Sequence, residues 1–445
     1  MVIVKFNVKS ENTSAPIYDA RELGRGKMFL LGLQHTFAMF GATVLVPLLT
    51  GLSVSTTLLM AGLGTLLFHF VTKGKVPAFL GSSFAFLGGY AAVAPLIDGK
   101  PNTEMLPYAC GGVVVAGVLY LIVSLLIKLV GVNKVMRFFP PVVTGPIIIS
   151  IGLILAPSAI SNCETNWPIA LVALATVIIC NIWGKGMIKI IPIMMGILVS
   201  YAVALITGNV DFSSVKATLD QGFIGGVVAL PLSTSSFAKF DISAILTIAP
   251  LALATMMEHI GDMSAISATV EKNFIKDPGL HRTLLGDGLA TILASFFGGP
   301  ANTTYGENTG VLALSRVYDP KVIRIAACVA VVLSFFPAFA AVVSSIPAAI
   351  IGGVSLILYG MISAIGVRNV VEHQVDFTKS RNLIIAAVIL VCALGFNFSA
   401  NGGINFSVLG ADISLSGLAI ASLSGILLNA ILPGNDYQFS KESDD

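Results

Sequence analysis

The sequence predicts an all-α protein that crosses a membrane many times. Of its 445 residues, 56% are hydrophobic and only 11% are charged, whereas a soluble domain carries about a quarter charged residues. The mean hydropathy is +0.91. Apolar runs of about 20 residues, the length that spans about 30 Å of hydrocarbon, recur along the chain. The composition therefore argues against soluble enzymes, nucleic-acid-binding proteins and secreted scaffolds.

The charges and cysteines point to no cofactor or charged partner. There are 25 Lys and Arg against 23 Asp and Glu, a formal net charge of +2, which gives no large field to attract nucleic acid. The cysteines show no CxxC spacing, so we expect neither a metal cluster nor a disulfide framework. They are Cys110, Cys163, Cys180, Cys328 and Cys392.

Fourteen segments are apolar and long enough to be membrane spans. They are 28–50, 54–72, 78–97, 107–131, 141–160, 167–184, 188–208, 241–262, 282–298, 303–318, 321–343, 346–369, 381–396 and 414–432. The leader, 1–27, is polar and charged and shows no signal-peptide cleavage pattern. A tail, 433–445, follows the last span.

The distribution of Lys and Arg supports this count, because cytoplasmic loops are enriched in both residues. With the N-terminus inside, fourteen spans place all but three of the 25 basic residues on the cytoplasmic side. The exceptions are Lys100, Lys216 and Lys239. We therefore predict a multi-pass protein of the plasma membrane with both termini in the cytoplasm.

The chain divides into two halves of seven spans. Its longest hydrophilic interruption, 209–240, follows the seventh span. An odd number of spans per half reverses the orientation of the second half, as in transporters built from inverted repeats. The first spans of the two halves match weakly at Leu33-Gln34-His35 and Met257-Glu258-His259.

The third span of each half, spans 3 and 10 of the chain, is interrupted by small residues and proline. The interruptions lie at 77–84 and 298–307. Paired breaks at matching positions predict a binding site near the middle of the membrane. We expect each break to be a short extended segment followed by a half-helix whose free N–H groups face the substrate.

Four acidic residues are candidate site residues, because a carboxylate at the bilayer centre costs about 2.5–3.5 kcal/mol. Glu258 and Asp262 are four residues apart and share one face of the eighth span. Asp287 lies in the ninth span, and Glu307 lies at the second break. The alternatives are a structural acid for Glu258, an interfacial cap for Asp262 and a surface acid for Asp287.

Two ring-bearing residues are weaker candidates. His259 lies about 100° around the helix from Glu258, and a buried core histidine is the alternative interpretation. Phe84 follows Gly81-Ser82-Ser83, where a flat ligand could stack on its ring, and simple packing is the alternative.

Acids without basic partners favour a neutral or cationic substrate rich in N–H donors, or a coupled proton, since burial disfavours the charged carboxylate. An anion carrier would be expected to carry Arg or Lys in the middle of a span, and the sequence has none there. A membrane-embedded enzyme would need a nucleophile or metal cluster, but HExxH and GxSxG are absent from the sequence. A channel would need repeated rings of pore-lining residues, whereas this chain has one pair of unlike broken helices.

Six motifs together resemble the nucleobase–cation symporter family, also called nucleobase–ascorbate transporters, over essentially the whole chain. The chain is most similar to the bacterial uracil permeases of that family. The motifs are Gln34-His35 with Ala38-Met39-Phe40-Gly41-Ala42-Thr43, Gly81-Ser82-Ser83-Phe84-Ala85-Phe86, Glu258-His259-Ile260-Gly261, Asp277-Pro278-Gly279-Leu280-His281-Arg282, Asn302-Thr303-Thr304-Tyr305-Gly306-Glu307-Asn308 and Gly352-Gly353-Val354-Ser355.

The resemblance implies fourteen helices in two inverted repeats, with spans 3 and 10 broken, arranged as a core domain and a gate domain. The core would comprise 28–138 (spans 1–4) and 241–343 (spans 8–11). The gate would comprise 139–208 (spans 5–7) and 344–432 (spans 12–14), with 209–240 as an extracellular linker. Family members commonly form homodimers and move the core against the gate.

The resemblance also implies a transporter, not an enzyme, that imports uracil with protons and needs no cofactor. Xanthine or another purine is the alternative substrate. The base would donate hydrogen bonds from its N–H groups to Glu258 and Glu307 and would pack against Phe84. The pocket would further be lined by Ala42, Tyr305, Gly306 and Tyr359. The proton-coupling residues would be Glu258, Asp262, Asp287 and His259.

Two departures from the family pattern bear on the substrate. Uracil permeases often carry His one turn after the first Glu, where this chain has Asp262. Asp there, together with Asp287, is typical of the xanthine and urate branch, although that branch usually has Gln in place of Glu307. The Glu307-Asn308 pair favours uracil. A smaller departure is Ser315 before Arg316, where the family usually has Thr.

Overall fold

The computed structural model describes residues 15–95, 97, 100–400, 402–408 and 411–434. Most of the predicted leader and nearly all of the predicted tail therefore lie outside the described residues. The first half contains α1 (Gly24–Thr50), α2 (Val54–Val71), β1 (Leu80–Ser82), α3 (Leu87–Val93), α4 (Leu106–Val130), α5 (Val132–Met136), α6 (Pro141–Glu164), α7 (Trp167–Trp183), α8 (Met187–Ile190) and α9 (Pro192–Ile206).

A linker helix, α10 (Ser213–Leu219), precedes the second half. That half contains α11 (Ile242–Ile248), α12 (Ala252–Val270), α13 (Leu280–Phe296), β2 (Asn302–Thr304), α14 (Gly306–Ser315), α15 (Pro320–Ser334), α16 (Pro337–Ser344), α17 (Ala348–Glu372), α18 (Ser380–Asn397), β3 (Gly403–Val408), β4 (Ala411–Ser416) and α19 (Gly417–Ile431). Each predicted span overlaps at least one of these helices. The predicted all-α polytopic fold is confirmed.

Several spans are less regular than the sequence predicts. Among the described residues, seven helical segments are long and apolar enough to cross a membrane unaided, and the bent pair α15–α16 would make an eighth. The predicted span 321–343 turns by 90° between α15 and α16. Phe336 is extended there and Pro337 begins the next helix, because proline lacks the N–H that would continue the preceding helix.

The ends of two other spans also differ from the prediction. The eighth span is divided between α11 and α12 by a short turn containing Pro250, and α12 continues to Val270 rather than ending at 262. The last span begins at Gly417 rather than 414, because β3 and β4 form an antiparallel hairpin before it. Ser416 ends the hairpin and caps α19 by accepting a hydrogen bond from the Ala419 N–H at 3.3 Å.

The helices pack in two groups, a core and a gate. In the core, α13 packs on α4 and α2, and α15 packs on α2 and α1. In the gate, α17 packs on α6 and α7, and α18 packs on α6 and α19. Glycines allow close approach in both groups. A Cβ on Gly117 of α4 would lie 3.0 Å from the Gly288 carbonyl of α13, and one on Gly152 of α6 would lie 2.2 Å from the Tyr359 carbonyl of α17.

The two broken spans cross through β1 and β2, which pair antiparallel with Gly81 opposite Thr303. Non-helical backbone at membrane depth is tolerated only where its polar groups are satisfied by protein or water. Here Thr65 Oγ1 donates to the Leu80 carbonyl at 3.1 Å and accepts from the Leu80 N–H at 2.9 Å. Asn302 Nδ2 donates to the Met60 carbonyl at 3.0 Å. The helices beside the crossing therefore hydrogen-bond to residues of both strands.

Replacing Gly64 with Ala should destabilise the crossing. A Cβ there would lie 2.1 Å from Asn302 Nδ2 and 3.2 Å from the Ala290 Cβ, so the amide would be pushed away from the Met60 carbonyl. We expect a loss of about 1–3 kcal/mol, measured as a lower thermal unfolding temperature in detergent. Gly395→Ala in α18 is the control, because a Cβ there meets nothing within 4 Å. Equal stability of the two variants would contradict this description of the crossing.

Candidate functional site

Two segments form the candidate site, and we call them its arms. The first arm is α12. Its uninterrupted helix places Glu258 and Asp262 one turn apart and away from both helix ends. Both side chains are partly exposed, while the neighbouring Met257 and His259 are buried in the core. A Cβ on Gly261 would meet nothing within 4 Å. Asp262 therefore lies mid-helix beside open space, and the interpretation of Asp262 as an end cap is wrong.

The second arm is the start of α14. Tyr305 is extended, with φ −105° and ψ 118°, and the helix begins at Gly306 with Glu307 in its first turn. A carboxylate is favoured at this position because the free N–H groups of a helix N-terminus carry partial positive charge. Glu307 is partly exposed and Gly306 is exposed. The half-helix thus presents an acidic side chain at its N-terminal end.

The two arms meet at Asp262. Thr304, the last residue of β2, donates from Oγ1 to Asp262 Oδ2 at 2.9 Å. A Cβ on Gly306 would lie 4.0 Å from Asp262 Oδ1. The extended segment of one broken span is therefore joined to the acidic face of α12.

The acids form one electrostatic cluster. Glu258 interacts electrostatically with Asp287 and Glu307, and Asp262 interacts with all three of the other acids. Within the described part of the chain, no Lys or Arg forms an ion pair with any of the four. The cluster is therefore suited to N–H donors or to protons, and not to an anion.

At the buried end of the cluster, Asp287 of α13 contacts His259 of α12. Both side chains are fully buried, and His259 Nδ1 lies 3.1 Å from Asp287 Oδ2. The Phe68 ring packs against His259 edge-on, with centroids 6.4 Å apart. The interpretation of Asp287 as a surface acid is wrong, since the packing of α13 on the core buries it completely.

An aromatic pair joins the core to the gate. Phe84, between β1 and α3, meets Tyr359 of α17 edge-on, with centroids 6.4 Å apart and an interplanar angle of 70°. The space beside Phe84, closed off by Leu155, Leu251 and Leu418, is about 10 Å³. That volume holds one water molecule at most. The site is therefore closed beside Phe84 and open beside Gly261 and Gly306.

Two predicted pocket residues lie behind the wall of the site. Tyr305 is 4% exposed, its hydroxyl donates to the Ser82 carbonyl at 3.0 Å, and its ring covers Gly81, where a Cβ would lie 2.4 Å from it. Ala42 of α1 is fully buried, with its carbonyl 3.5 Å from Ser82 Oγ. The Tyr305 side chain thus holds the strand crossing, and its place in the sequence alone could not show which way it points.

Two side-chain contacts of the site were not predicted from the sequence. One is the Thr304 contact with Asp262. The other joins α14 to α1, where Asn308 Nδ2 donates to the His35 carbonyl at 3.1 Å and lies 3.1 Å from His35 Nδ1. Asn308 and His35 are both buried. The polar run Asn302–Asn308 in an otherwise apolar chain was the available signal, but the partners depend on how distant helices pack.

Two broken spans that cross beside an acidic cluster are typical of membrane transporters. Residues 26–401 match the Permease family Xan_ur_permease. The chain is 41% identical to the uracil permease of Bacillus caldolyticus, covering 92% of this chain and 93% of that protein. It is 40% identical to the uracil permease of Escherichia coli K12, covering 90% of each. The chain belongs to this permease family.

Solved structures with the same fold are much more distant in sequence. The transmembrane domain of the cyanobacterial bicarbonate transporter BicA superimposes with a TM-score of 0.61 at 16% identity, covering 93% of this chain and 99% of that one. SLC26A9 gives a TM-score of 0.64 at 13% identity, covering 93% of this chain and 66% of that one. These similarities confirm the transporter fold with its inverted repeats.

Proposed function

We propose that this permease imports uracil across the plasma membrane together with protons, by movement of the core against the gate. The observation that carries the proposal is that Glu258 on α12 and Glu307 on the half-helix α14 belong to one acidic cluster. Neither carboxylate has a Lys or Arg ion-pair partner among the described residues. The uracil permeases to which the chain is about 40% identical over nine-tenths of its length support the choice of base.

The chemistry of the base fits this arrangement. Uracil offers N–H donors to the carboxylates of Glu258 and Glu307 and carbonyl acceptors to the N–H groups at Gly306. Its flat face would stack on the Phe84 ring once movement of the core against the gate opens the space there, which is closed in this structure. Tyr359 would close the pocket from the gate. Ala42 and Tyr305 would shape it from behind by holding β1 in place, since both are buried against Ser82 or Gly81.

Proton coupling is assigned to the acidic cluster. Glu258 would bind both the base and a proton, and Asp262 would take the position that His often occupies in uracil permeases. Behind the site, the buried contact between His259 and Asp287 would stabilise one protonation state of these two side chains. The electrostatic interaction of Glu258 with Asp287 supports this coupling, because a change of charge on one acid alters the free energy of charging the other.

A purine such as xanthine is the alternative substrate. Asp262 is the observation that favours it, because this carboxylate lies at the site, held by Thr304 at 2.9 Å, and a larger base with more N–H groups could use the extra acceptor. For the assembly we propose a homodimer with both termini in the cytoplasm. The distribution of Lys and Arg supports that orientation.

Binding to the purified protein tests the choice of base. Labelled uracil should bind saturably to the detergent-solubilised chain, and an excess of unlabelled uracil should displace it far better than xanthine does. Displacement by xanthine at equal or lower concentration would transfer the assignment to the purine alternative. Absence of uracil binding by a folded protein would reject the proposal.

Replacing Thr304 with Val should reduce uracil uptake about tenfold, because it removes a hydrogen bond to a charged group worth about 1.5–3 kcal/mol. Thr303→Val is the matched control, since Thr303 is equally buried at 2% exposure and its hydroxyl has no hydrogen-bond partner. Initial uptake rates at equal expression measure both variants. Equal losses in the two would show that the Asp262 contact does not matter for transport.

A further inference from the structure

A second cavity, of about 630 Å³, lies at the end of the core where α2 and α12 end and α15 begins. Its size is within the range of small-molecule sites. The N-terminal segment forms one wall, where Tyr18 donates from its hydroxyl to the Val270 carbonyl at 3.0 Å and packs against Tyr318 at 5.5 Å between centroids. The cavity shares no residue with the candidate substrate site.

Four basic and three acidic side chains line this cavity, and each of the three acidic side chains contacts a lysine. Lys75 Nζ contacts Asp277 at 2.6 Å. Lys321 Nζ lies 3.3 Å from both Asp19 and Asp319. These contacts use two of the four cations and all three carboxylates of the wall.

The other two cations, Lys272 and Arg324, form no ion pair within the described residues. Lys272 Nζ lies 4.2 Å from the centroid of the Tyr18 ring. Arg324 Nε is buried without a hydrogen-bond partner, and a Cβ on Gly74 would lie 3.8 Å from its Nη2. A buried donor without a partner is costly. Two cations that face one cavity without a carboxylate partner therefore suit an anion.

We propose that this cavity binds a phosphate-bearing anion, with Arg324 and Lys272 as its ligands. A guanidinium matches the oxygens of a phosphate in a two-pronged contact, and a lysine adds a compact charge. A soluble phosphate compound and the headgroup of an anionic phospholipid share this chemistry. The ligand would connect the N-terminal segment to the end of α12 and the start of α15. It would therefore influence the position of α12, the helix that carries Glu258, without entering the substrate site.

Thermal unfolding of the full-length protein in detergent tests the proposal independently of transport. Inorganic phosphate, titrated at constant ionic strength, should raise the unfolding temperature saturably for the wild type and for Lys276→Gln. Lys276 is the matched control because it is exposed on the same loop and lies outside the cavity wall. In Arg324→Gln and Lys272→Gln the apparent Kd should be weaker by about tenfold or more. Lys272 is exposed, so its variant should fold even if Arg324→Gln does not.

A second arm identifies the source of the phosphate. Stabilisation by micelles containing phosphatidylglycerol but not by phosphatidylcholine or free phosphate, lost in the same two variants, would support the site and assign it to a lipid headgroup. Stabilisation of the wild type by neither probe would overturn the proposal. A response of Arg324→Gln and Lys272→Gln equal to that of Lys276→Gln would overturn it as well.

Discussion

Replacing Glu258 with Gln should abolish uracil uptake, lowering the initial rate about a hundredfold or more, while expression and folding stay intact. The amide is nearly the same size as the carboxyl, but it replaces one acceptor oxygen with a donor and cannot exchange a proton. Each hydrogen bond to the charged group is worth about 1.5–3 kcal/mol. Losing both the base contact and the proton site should therefore exceed the effect of removing any single neighbouring contact.

The control for Glu258→Gln is Glu104→Gln, the same change on an exposed residue in the loop before α4. Uptake of labelled uracil at two external pH values, corrected for the amount of protein in the membrane, measures both. Uptake by Glu258→Gln with the rate and pH dependence of the wild type would remove Glu258 from both of its assigned roles.

Replacing Glu307 with Gln should weaken uracil binding about tenfold and increase recognition of purines. Glu307 contributes one carboxylate at the N-terminus of α14, and Gln there would leave Asp262 and Asp287 as the features that this chain shares with the xanthine and urate branch. Competition of labelled uracil binding by unlabelled uracil and by xanthine measures the two effects together. Unchanged competition by both bases would show that Glu307 does not set specificity.

The sequence predicted the parts of the fold that depend on local composition. Apolar runs located the spans, and the small residues around Gly81 and Thr303 located both broken spans. The pairing of β1 with β2 could not be predicted, since its strands are about 220 residues apart in the sequence. The hairpin β3–β4 was missed because its apolar residues continue into the last span, so hydropathy alone gave no boundary before Gly417.

Only part of the candidate site could be predicted, because the rest depends on how distant segments of the chain pack together. Glu258 and Asp262 share a face by helical spacing, which any straight helix preserves. Burial of Asp287 depends on how α13 packs in the core, and its contact with His259 at 3.1 Å joins two different helices. The direction of the Tyr305 ring depends on Gly81 of β1, which leaves room for the ring. Local sequence carries no information of this kind.

Solved structures with very different sequences share this fold, so the fold alone does not determine the chemistry of the candidate site. A bicarbonate transporter and SLC26A9 share this fold at 16% and 13% identity, and a fold of this kind does not specify the substrate. In this chain, Glu258, Asp262 and Glu307 lie at the candidate site with Asp287 buried behind them, and no Lys or Arg among the described residues forms an ion pair with any of the four. That charge is what makes a neutral base with N–H donors the better substrate, and it is why the proposed function depends on α12 and α14.

Uptake of labelled uracil into proteoliposomes, with and without an inward proton gradient and with xanthine as competitor, tests the central claim most directly. The acidic cluster with Glu307 at the half-helix predicts uptake that the gradient drives and that xanthine does not reduce. In that case Asp262 would serve where related permeases often use His. Strong competition by xanthine, or no uptake of uracil at all, would contradict the claim and show that Asp262 and Asp287 outweigh Glu307 in selecting the substrate.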